Sequence, residues 1–385
     1  MPQRPIYLDA HATTPMDERV LKAMLPYFTE SFGNPSTNTH VYGWEASAAV
    51  KNAREAIASI INASPEEIVF TSGATEANNL AIKGVAEAYF SKGKHIVTVA
   101  TEHRAVLDPC AYLETLGFEV TYLPVQANGI LDLSKLETVL REDTVLVSVM
   151  AANNEIGVLQ PLAEIGKLCH DRNILFHTDA AQAIAKIPLD VEAMQIDLMS
   201  LTAHKIYGPK GIGALYVRRR DPRVQLASQI QGGGQERGRR SGTLYTPQIV
   251  GFAKALEIGV EMMSSEAERM LKLKQQLWSM FKPLTGIHLN GDFDRSLPNN
   301  LNISVEGVNG SALLLALQSV VAVSSGSACS SESTAPSHVL IALGRDEKLA
   351  HASLRFGIGR FNTLEEIKTV GETAIAAIKS LRQAN

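Results

Sequence analysis

Short apolar runs alternate with segments of helical periodicity from residue 45 to about residue 217. The helical segments include EASAAVKNAREAIASIINA and TEANNLAIKGVAEAYFSKG, and the apolar runs are HIVTVA, TVLVSVM, ILFHTDAA, DLMSLTAH and GIGALYVRR. Strands that alternate with helices of this length predict an α/β fold, with a mostly parallel sheet and helices on both faces. Ligands of such sheets bind at the carboxyl ends of the strands, so the residues that follow each run are candidates for chemistry.

The pattern changes after residue 250. A long helix is predicted from 251 to 282, followed by the strand-like NNLNISV, the helix GSALLLALQS, the strand-like HASLRFGIG and a C-terminal helix. We predict a large domain over residues 15–260 and a small C-terminal α/β domain over 261–385, joined by an N-terminal segment, 1–14. No internal repeat or low-complexity tract interrupts this division.

Composition and charge are those of an ordinary globular protein. The 385 residues are 45% hydrophobic, which is enough for two domains because a single core stops growing at about 250 to 300 residues. The net charge of -4 lacks the basic bias of a nucleic-acid binder, and no apolar run could span a bilayer. The N-terminus MPQRPIYLDAHATTP has no apolar signal-peptide core. We expect a cytoplasmic protein that binds neither nucleic acid nor membrane.

The three cysteines are widely spaced and differ in their surroundings. An odd set without a CxxC pair predicts neither a disulfide framework nor a metal site. Cys169 shares an apolar helical stripe with Leu162 and Ile165. Cys110 opens a similar pattern, so both cysteines are predicted to be core residues. Cys329 instead lies in VSSGSACSSESTAPS, where it is either a tolerated surface thiol or a thiol kept for its chemistry.

Three predicted strand ends carry residues suited to a cofactor. Lys205 follows an apolar run in SLTAHKIYGPKGIGA, and Asp179 and Gln182 follow another in FHTDAAQ. FTSGATEANN ends an earlier strand and opens a helix, whose first N–H groups favour an anion such as phosphate. A single lysine is most often a solvated surface charge. Together, however, these features are the usual protein contributions to a pyridoxal phosphate site.

The motifs of the common nucleotide-binding enzymes are missing from the chain. Neither G-x-G-x-x-G nor G-x-x-x-x-G-K-[ST] occurs anywhere in the sequence. A nicotinamide-dependent dehydrogenase and a P-loop NTPase are therefore disfavoured.

At this level of detail the chain resembles the pyridoxal-phosphate-dependent cysteine desulfurases of the NifS/IscS type, within the class V aminotransferase superfamily. The resemblance covers nearly all of the chain and rests on ten motifs in the family's order: YLDAHATTP, FGNPSTNTH, FTSGATEANN, TEHRAVLD, NNEIGVLQP, HTDAAQ, AHKIYGPKG, GGGQERGRRSGT, SSGSACSS and SLRFGIGR. It implies a fold-type I homodimer that converts L-cysteine to L-alanine. It also implies that the sulfur passes to an acceptor protein such as an iron–sulfur scaffold, for cluster assembly and related sulfur transfer.

The resemblance assigns the cofactor contacts residue by residue. Lys205 would bond to pyridoxal phosphate as a Schiff base, Asp179 would pair with the pyridinium nitrogen, and Gln182 would hydrogen-bond the phenolic oxygen. The phosphate would be held by hydroxyl, imidazole and backbone groups. These belong to Ala74, Thr75, Thr202, His204 and, from the other subunit, Thr243.

The resemblance also implies the residues that handle the substrate. His103 would stack on the cofactor ring and shuttle protons, although a plain core or surface histidine is the alternative. Asn154 would touch the cofactor oxygen or the substrate, and Arg355 would bind the substrate carboxylate bidentately. Cys329 would be the nucleophile whose thiolate attacks the substrate sulfur, leaving alanine and an enzyme persulfide. An ordinary thiol with a pKa of about 8.5 is about 3% thiolate at pH 7.

Two rival interpretations stand beside this one. The first is another enzyme of the same fold, an aminotransferase or a cystine or selenocysteine lyase; transamination needs no thiol, so Cys329 argues against the aminotransferase. The second is a scaffold or regulatory protein that keeps the fold without the reaction. The intact set of Lys205, Asp179 and Cys329 disfavours it.

The chain departs from the family pattern at three places. Thr202 stands where the family usually has serine, and threonine keeps the hydroxyl, so the phosphate contact is expected to survive. Ala10 and His11 stand where the common pattern is LDNAATTP, and neither is assigned a catalytic role. The sequence stops at Asn385, without the further tail carried by members that serve a dedicated iron–sulfur scaffold. Docking of a scaffold through such a tail is therefore not expected.

Overall fold

A computed structural model describes residues 4–325 and 335–384. Its helices are α1 (Glu18–Met24), α2 (Pro26–Thr29), α3 (Val41–Ile60), α4 (Ala74–Ala88), α5 (Arg104–Thr115), α6 (Leu133–Val139), α7 (Leu162–His170), α8 (Thr246–Phe281), α9 (Gly310–Leu317), α10 (His338–Ala342), α11 (Glu347–His351) and α12 (Leu364–Ala384). Its strands are β1 (Ile6–Tyr7), β2 (Ile68–Thr71), β3 (His95–Val99), β4 (Glu119–Leu123), β5 (Thr144–Ser148), β6 (Leu175–Asp179), β7 (Leu198–Thr202), β8 (Gly213–Val217), β9 (Ile287–Leu289), β10 (Asn300–Val305), β11 (Val321–Ala322) and β12 (Ser353–Gly357).

The central sheet has seven strands in the order β2-β8-β7-β6-β5-β3-β4 within the described ranges. Strand β8 runs antiparallel to both of its neighbours, and the other pairs are parallel. Alternate residues of one strand, such as Val69 and Phe70, belong to apolar clusters on opposite faces. Helices α3 and α8 cover one face, and α4 and α5 cover the other. The predicted α/β fold with a mostly parallel sheet is confirmed.

A second, antiparallel sheet has the order β12-β10-β9 and packs against α12. Helix α8 serves both sheets, because Leu256 joins the core of the large sheet and Leu277 joins the core of the small one. Strand β1 pairs with β11 and brings Leu8 into the second core. The predicted boundary at 260/261 falls within α8, and the division into two domains stays a prediction.

Two of the cysteines are core residues, as predicted. Cys110 and Cys169 have no exposed surface. Helix α5 begins at Arg104, well before Cys110, because the His103 imidazole accepts the Ala105 N–H and caps the helix there. Across the described ranges, no helix is both long and apolar enough to cross a membrane.

Candidate active site

A cleft of about 570 Å³ opens where several strands of the central sheet end. Strands β2, β6 and β7 lead into it at their carboxyl ends, as expected for a sheet of this type. The cleft brings together nine of the residues predicted from sequence. These are Ala74, Thr75, His103, Asn154, Asp179, Gln182, Thr202, His204 and Lys205.

One end of the cleft suits a phosphate. Helix α4 begins there after Gly73, which has a φ of 154° and no side chain to cap the first N–H groups of the helix. A side chain on Gly73 would have room, since its Cβ would lie 3.8 Å from Thr202 Oγ1, but residues other than glycine rarely adopt this φ. Burial, followed by the ammonium groups of Lys205, Lys210 and Lys186, lowers the pKa of His204 to about 4. His204 is therefore a neutral hydrogen-bonding group at pH 7.

The Asp179 carboxylate is buried and held in a fixed orientation. Its Oδ2 accepts a hydrogen bond from Asn78 Nδ2 at 2.7 Å, and its Oδ1 accepts one from the Ala181 N–H at 2.9 Å. A carboxylate fixed in this way fits a protonated ring nitrogen. Sequence reasoning missed Asn78, which lies one helical turn after Ala74 on α4, so the spacing of four residues could have revealed it.

Gln182 is fixed by two residues that had no predicted role. Its Nε2 donates to the backbone oxygen of His11 at 2.9 Å, while its Oε1 accepts from His11 Nδ1 at 3.1 Å and from Lys186 Nζ at 3.3 Å. This pattern sets the orientation of the amide and leaves its second N–H for a ligand. Burial, followed by Lys186 and Arg355, holds the pKa of His11 well below its ordinary value, so the imidazole is neutral.

His103 and Asn154 offer complementary polar atoms. His103 Nδ1 accepts the Ala105 N–H at 3.0 Å, so the neutral ring carries its proton on Nε2. Burial, followed by the charge of Lys205, lowers the pKa of His103. Asn154 Oδ1 is buried and has no hydrogen-bond partner within the described part of the chain. An acceptor left open in this cleft is a position for a donor on a ligand.

Three predicted site residues are not part of this cleft. Arg355 is buried behind it, where its guanidinium bonds Asp9 Oδ1 at 2.8 Å and the Asn154 backbone oxygen at 3.1 Å. Thr243 is exposed and lies outside the cleft of its own chain. Cys329 lies outside the described residues. The roles assigned to these three residues stay predictions.

The donors and acceptors of the cleft fit pyridoxal phosphate. They combine an anion-binding helix end, a fixed carboxylate, an amide N–H and the Lys205 side chain within one cleft. The sequence profile of the Aminotransferase class-V family matches residues 6–370. This chain belongs to the class V aminotransferase family. Because the family depends on pyridoxal phosphate, the predicted cofactor is confirmed.

Similar proteins narrow the assignment within the class V family. The cysteine desulfurase of Homo sapiens is 56% identical over 381 residues, which are 99% of this chain and 83% of the relative. The cysteine desulfurase IscS of Neisseria meningitidis is 55% identical over 379 residues, which are 98% of this chain and 93% of the relative. The predicted family resemblance and the predicted enzyme class are confirmed.

Solved structures agree with these sequence relatives. A NifS-like protein that is 40% identical superposes with a TM-score of 0.90 over 98% of this chain and 100% of its own. The structure of SspA in complex with cysteine is 39% identical and has a TM-score of 0.80, over 93% of this chain and 100% of its own. The fold of this class V enzyme is therefore that of the NifS-like proteins.

Proposed function

We propose that this chain converts L-cysteine to L-alanine and collects the sulfur as a persulfide on Cys329. The observation that carries the proposal is the cleft, which joins Lys205, the fixed Asp179 carboxylate and the open end of α4. It lies in a class V chain whose relatives named cysteine desulfurase share 55% to 56% identity over nearly its whole length.

Each cofactor contact has a separate task in the proposal. Bound pyridoxal phosphate supplies an electron sink for the bonds at the α-carbon of the amino acid. Lys205 would hold the cofactor through its side-chain amine, and Asp179 would keep a proton on the ring nitrogen by its negative charge. The first turn of α4 and His204 would bind the phosphate. Gln182 would donate its second amide N–H to the phenolic oxygen.

His103 is suited to moving protons within the cleft. Its Nδ1 accepts the Ala105 N–H, which directs the ring and leaves Nε2 to carry the exchangeable proton. Burial keeps the imidazole neutral at pH 7, so it can accept or donate a proton as the substrate requires. Asn154 would orient the substrate or the cofactor through its open oxygen.

The third thiol, that of Cys329, would accept the sulfur of the substrate. Burial raises the pKa of Cys110 to about 12 and also raises that of Cys169, so neither buried thiol ionises near pH 7. The Cys329 thiolate would form a bond to the substrate sulfur as the carbon–sulfur bond breaks, and the carbon would take up a proton. Cysteine and the enzyme thiol thus give alanine and a persulfide, without any external oxidant.

The test of the proposal is the product balance of the holoenzyme with L-cysteine and excess dithiothreitol. We expect equal amounts of alanine and sulfide, and a gain of one sulfur atom on Cys329 when the reductant is omitted. D-cysteine serves as the control substrate, and it should give neither product. If pyruvate and ammonia form in place of alanine, the proposal is contradicted and the enzyme is a lyase. If the amino group of cysteine is transferred to an oxo acid, the proposal is contradicted and the enzyme is an aminotransferase.

We also propose that two copies of the chain form the active unit. Five exposed aromatic residues include two neighbouring ring pairs, Phe28 with Tyr245 and Phe32 with Tyr42; with Trp44 we name them the aromatic face. Phe32 and Trp44 are 61% and 57% exposed, and the Phe32 and Tyr42 rings lie 5.4 Å apart. A patch of this kind is typical of an interface. The exposed Thr243 lies two residues before Tyr245, so the same face would present it to the partner's phosphate site.

A subunit-mixing experiment tests the shared site. Lys205→Ala subunits mixed with Thr243→Ala subunits should form heterodimers in which one site is fully wild type and the other carries both lesions. We therefore expect about half of the sites in these heterodimers to regain wild-type affinity for the cofactor, measured by equilibrium titration. Mixing either variant with itself is the control. If verified heterodimers show no recovery, the sites are not shared.

The persulfide is proposed to serve iron–sulfur cluster assembly, with a scaffold protein as acceptor. Transfer requires only an accessible sulfur and an attacking thiolate on the acceptor. A cytoplasmic location, and the division of the chain into residues 15–260 and 261–385, likewise stay proposals.

A further inference from the structure

The segment that carries Cys329 is flanked by two described serines, Ser324 and Ser337. Ser324 is 9% exposed and Ser337 is 3% exposed, so both serines are buried. Each serine hydroxyl donates a hydrogen bond to a carboxylate on a distant part of the chain. These two contacts are separate from the contacts assigned to the cofactor.

The first end is held by Asp9. Ser324 Oγ donates to Asp9 Oδ2 at 2.9 Å, and Asp9 Oδ1 accepts from Arg355 at 2.8 Å. Arg355 also bonds this end through its backbone, because its N–H donates to the Ser324 oxygen at 2.7 Å. The same guanidinium donates to the backbone oxygen of Asn154 at 3.1 Å. A chain of hydrogen bonds therefore connects Ser324 to a residue that lines the cleft.

The second end is held by Glu155. Ser337 Oγ donates to Glu155 Oε2 at 2.5 Å and accepts the Leu340 N–H at 3.2 Å, so the hydroxyl also caps α10. The Glu155 side chain is buried, and its burial raises its pKa to about 7. Both the neutral and the ionised carboxyl retain an oxygen that accepts the serine hydroxyl. Next to this contact, His338 Nε2 donates to the Glu102 backbone oxygen at 2.9 Å.

Both ends are thus connected to consecutive residues, Asn154 and Glu155. The turn that contains these residues is itself fixed, because Asn153 Oδ1 accepts the N–H groups of Glu155 at 2.8 Å and of Ile156 at 3.0 Å. The backbone oxygen of Glu155 accepts amide donors from strand β10 at 3.0 and 3.1 Å. A rigid turn at the cleft wall is therefore the common support of both ends of the Cys329 segment.

We propose that Asp9 and Glu155 are positioning residues that fix the two ends of the Cys329 segment beside Asn154. The inference rests on the proposed role of Cys329 as the sulfur acceptor. An enzyme thiol reacts with a bound substrate at a rate set by its effective concentration at that substrate, and the fixed positions of Ser324 and Ser337 on either side of Cys329 in the chain contribute to that concentration. Loss of either contact lowers that concentration and leaves the reactivity of the thiol itself unchanged.

The experiment compares two reactions of Cys329 in the same variants. Ser337→Ala removes the contact to Glu155, and Ser337→Thr restores a hydroxyl. Single-turnover persulfide formation with holoenzyme and L-cysteine reports the approach of the thiol to the cleft. Alkylation of Cys329 by iodoacetamide in the cofactor-free protein, followed by mass spectrometry, reports its reactivity toward bulk solvent. The buried Cys110 and Cys169 serve as internal standards.

We expect Ser337→Ala to slow persulfide formation about tenfold, with unchanged alkylation, unchanged cofactor affinity and an unchanged cysteine concentration for half-maximal rate. Ser337→Thr should recover most of the rate. Ser324→Ala, which removes the contact to Asp9 and leaves the ion pair of Asp9 with Arg355 in place, should reproduce the Ser337→Ala pattern from the other end of the segment. Asn309→Ala is the matched control, because it removes the side-chain cap of another helix, α9, and touches neither Asp9 nor Glu155. It should react as the wild type does.

Two outcomes would overturn the inference. Persulfide formation at the wild-type rate in Ser337→Ala and Ser324→Ala would show that neither contact positions the segment. A parallel fall in the alkylation rate would show that the substitutions act on the thiol itself. If wild-type enzyme forms no persulfide on Cys329 at all, the proposed function fails instead, so the two failures are distinguishable.

Discussion

Cys329→Ala is expected to lower sulfur release from L-cysteine at least about a thousandfold, with cofactor binding intact. No other cysteine can take over, because Cys110 and Cys169 are fully buried and burial raises the pKa of both thiols. The cofactor contacts are assigned to other residues, nine of which line the cleft. Alanine and sulfide measured in single turnovers, together with the visible absorbance of the bound cofactor, check both parts of the expectation.

Cys169→Ala provides the matched control for this variant. It also removes a thiol, but one that packs in the core of the large sheet. We expect a modest loss of stability from the lost packing and full desulfurase activity. Substantial alanine and sulfide production by Cys329→Ala would contradict the persulfide mechanism and favour an enzyme of the selenocysteine-lyase kind, which forms alanine without an enzyme persulfide.

Lys205→Ala is expected to lose covalent attachment of the cofactor and at least about a thousandfold of the activity. The reason is its position, directly after β7 in the cleft that also holds the Asp179 carboxylate. Borohydride reduction followed by peptide mass spectrometry measures the attachment in wild-type and variant protein. Wild type should carry the label on Lys205, and the variant should carry none.

Lys186 is the other lysine that could carry the cofactor label in the borohydride experiment. Burial, followed by the charge of Lys205, lowers its pKa to about 7, so part of its amine is neutral and able to react near physiological pH. A labelled Lys186 in either protein would contradict the assignment of Lys205. Lys210→Ala is the control, since Lys210 lines the same cleft, lies in the same connection between β7 and β8, and should leave the attachment unchanged.

The cations of the cleft explain the state of its histidines. Burial lowers the pKa of His11, His103 and His204, and Lys205 lowers all three further. The imidazoles therefore remain neutral at pH 7 and act as hydrogen-bonding groups, and Lys205 and Lys210 are the basic side chains of the described cleft lining. Together with the open end of α4 they suit a site that binds a phosphate.

The alternation of apolar runs and helical segments determined the large sheet. Three of the predicted strands are present as β3, β5 and β7, and their ends differ from those of the apolar runs HIVTVA, TVLVSVM and DLMSLTAH by no more than a few residues. Such strands can be predicted from the sequence because a strand that is buried on both faces is apolar along most of its length. The positions of Asp179 and Lys205 followed directly, since each stands at or just after the carboxyl end of one of these strands.

The sequence was less informative where local signals compete. The apolar pattern from Cys110 onward suggested a helix that opens there, yet α5 starts at Arg104 because the His103 side chain caps it. The helix predicted from 251 to 282 is continuous from Thr246 to Phe281, so the change from one core to the other occurs without any break in the chain.

The sequence by itself thus determined the fold class, the order of the strands along the chain, and which residues stand at the ligand edge of the sheet. Only the tertiary structure decided how those residues are supported. His11 meets Gln182 across 171 positions, and Asp9 meets Arg355 across 346. Periodicity and turn signals act over a few residues, whereas these contacts depend on how the N-terminal segment packs between the two sheets. Their partners therefore become visible only when the chain is folded.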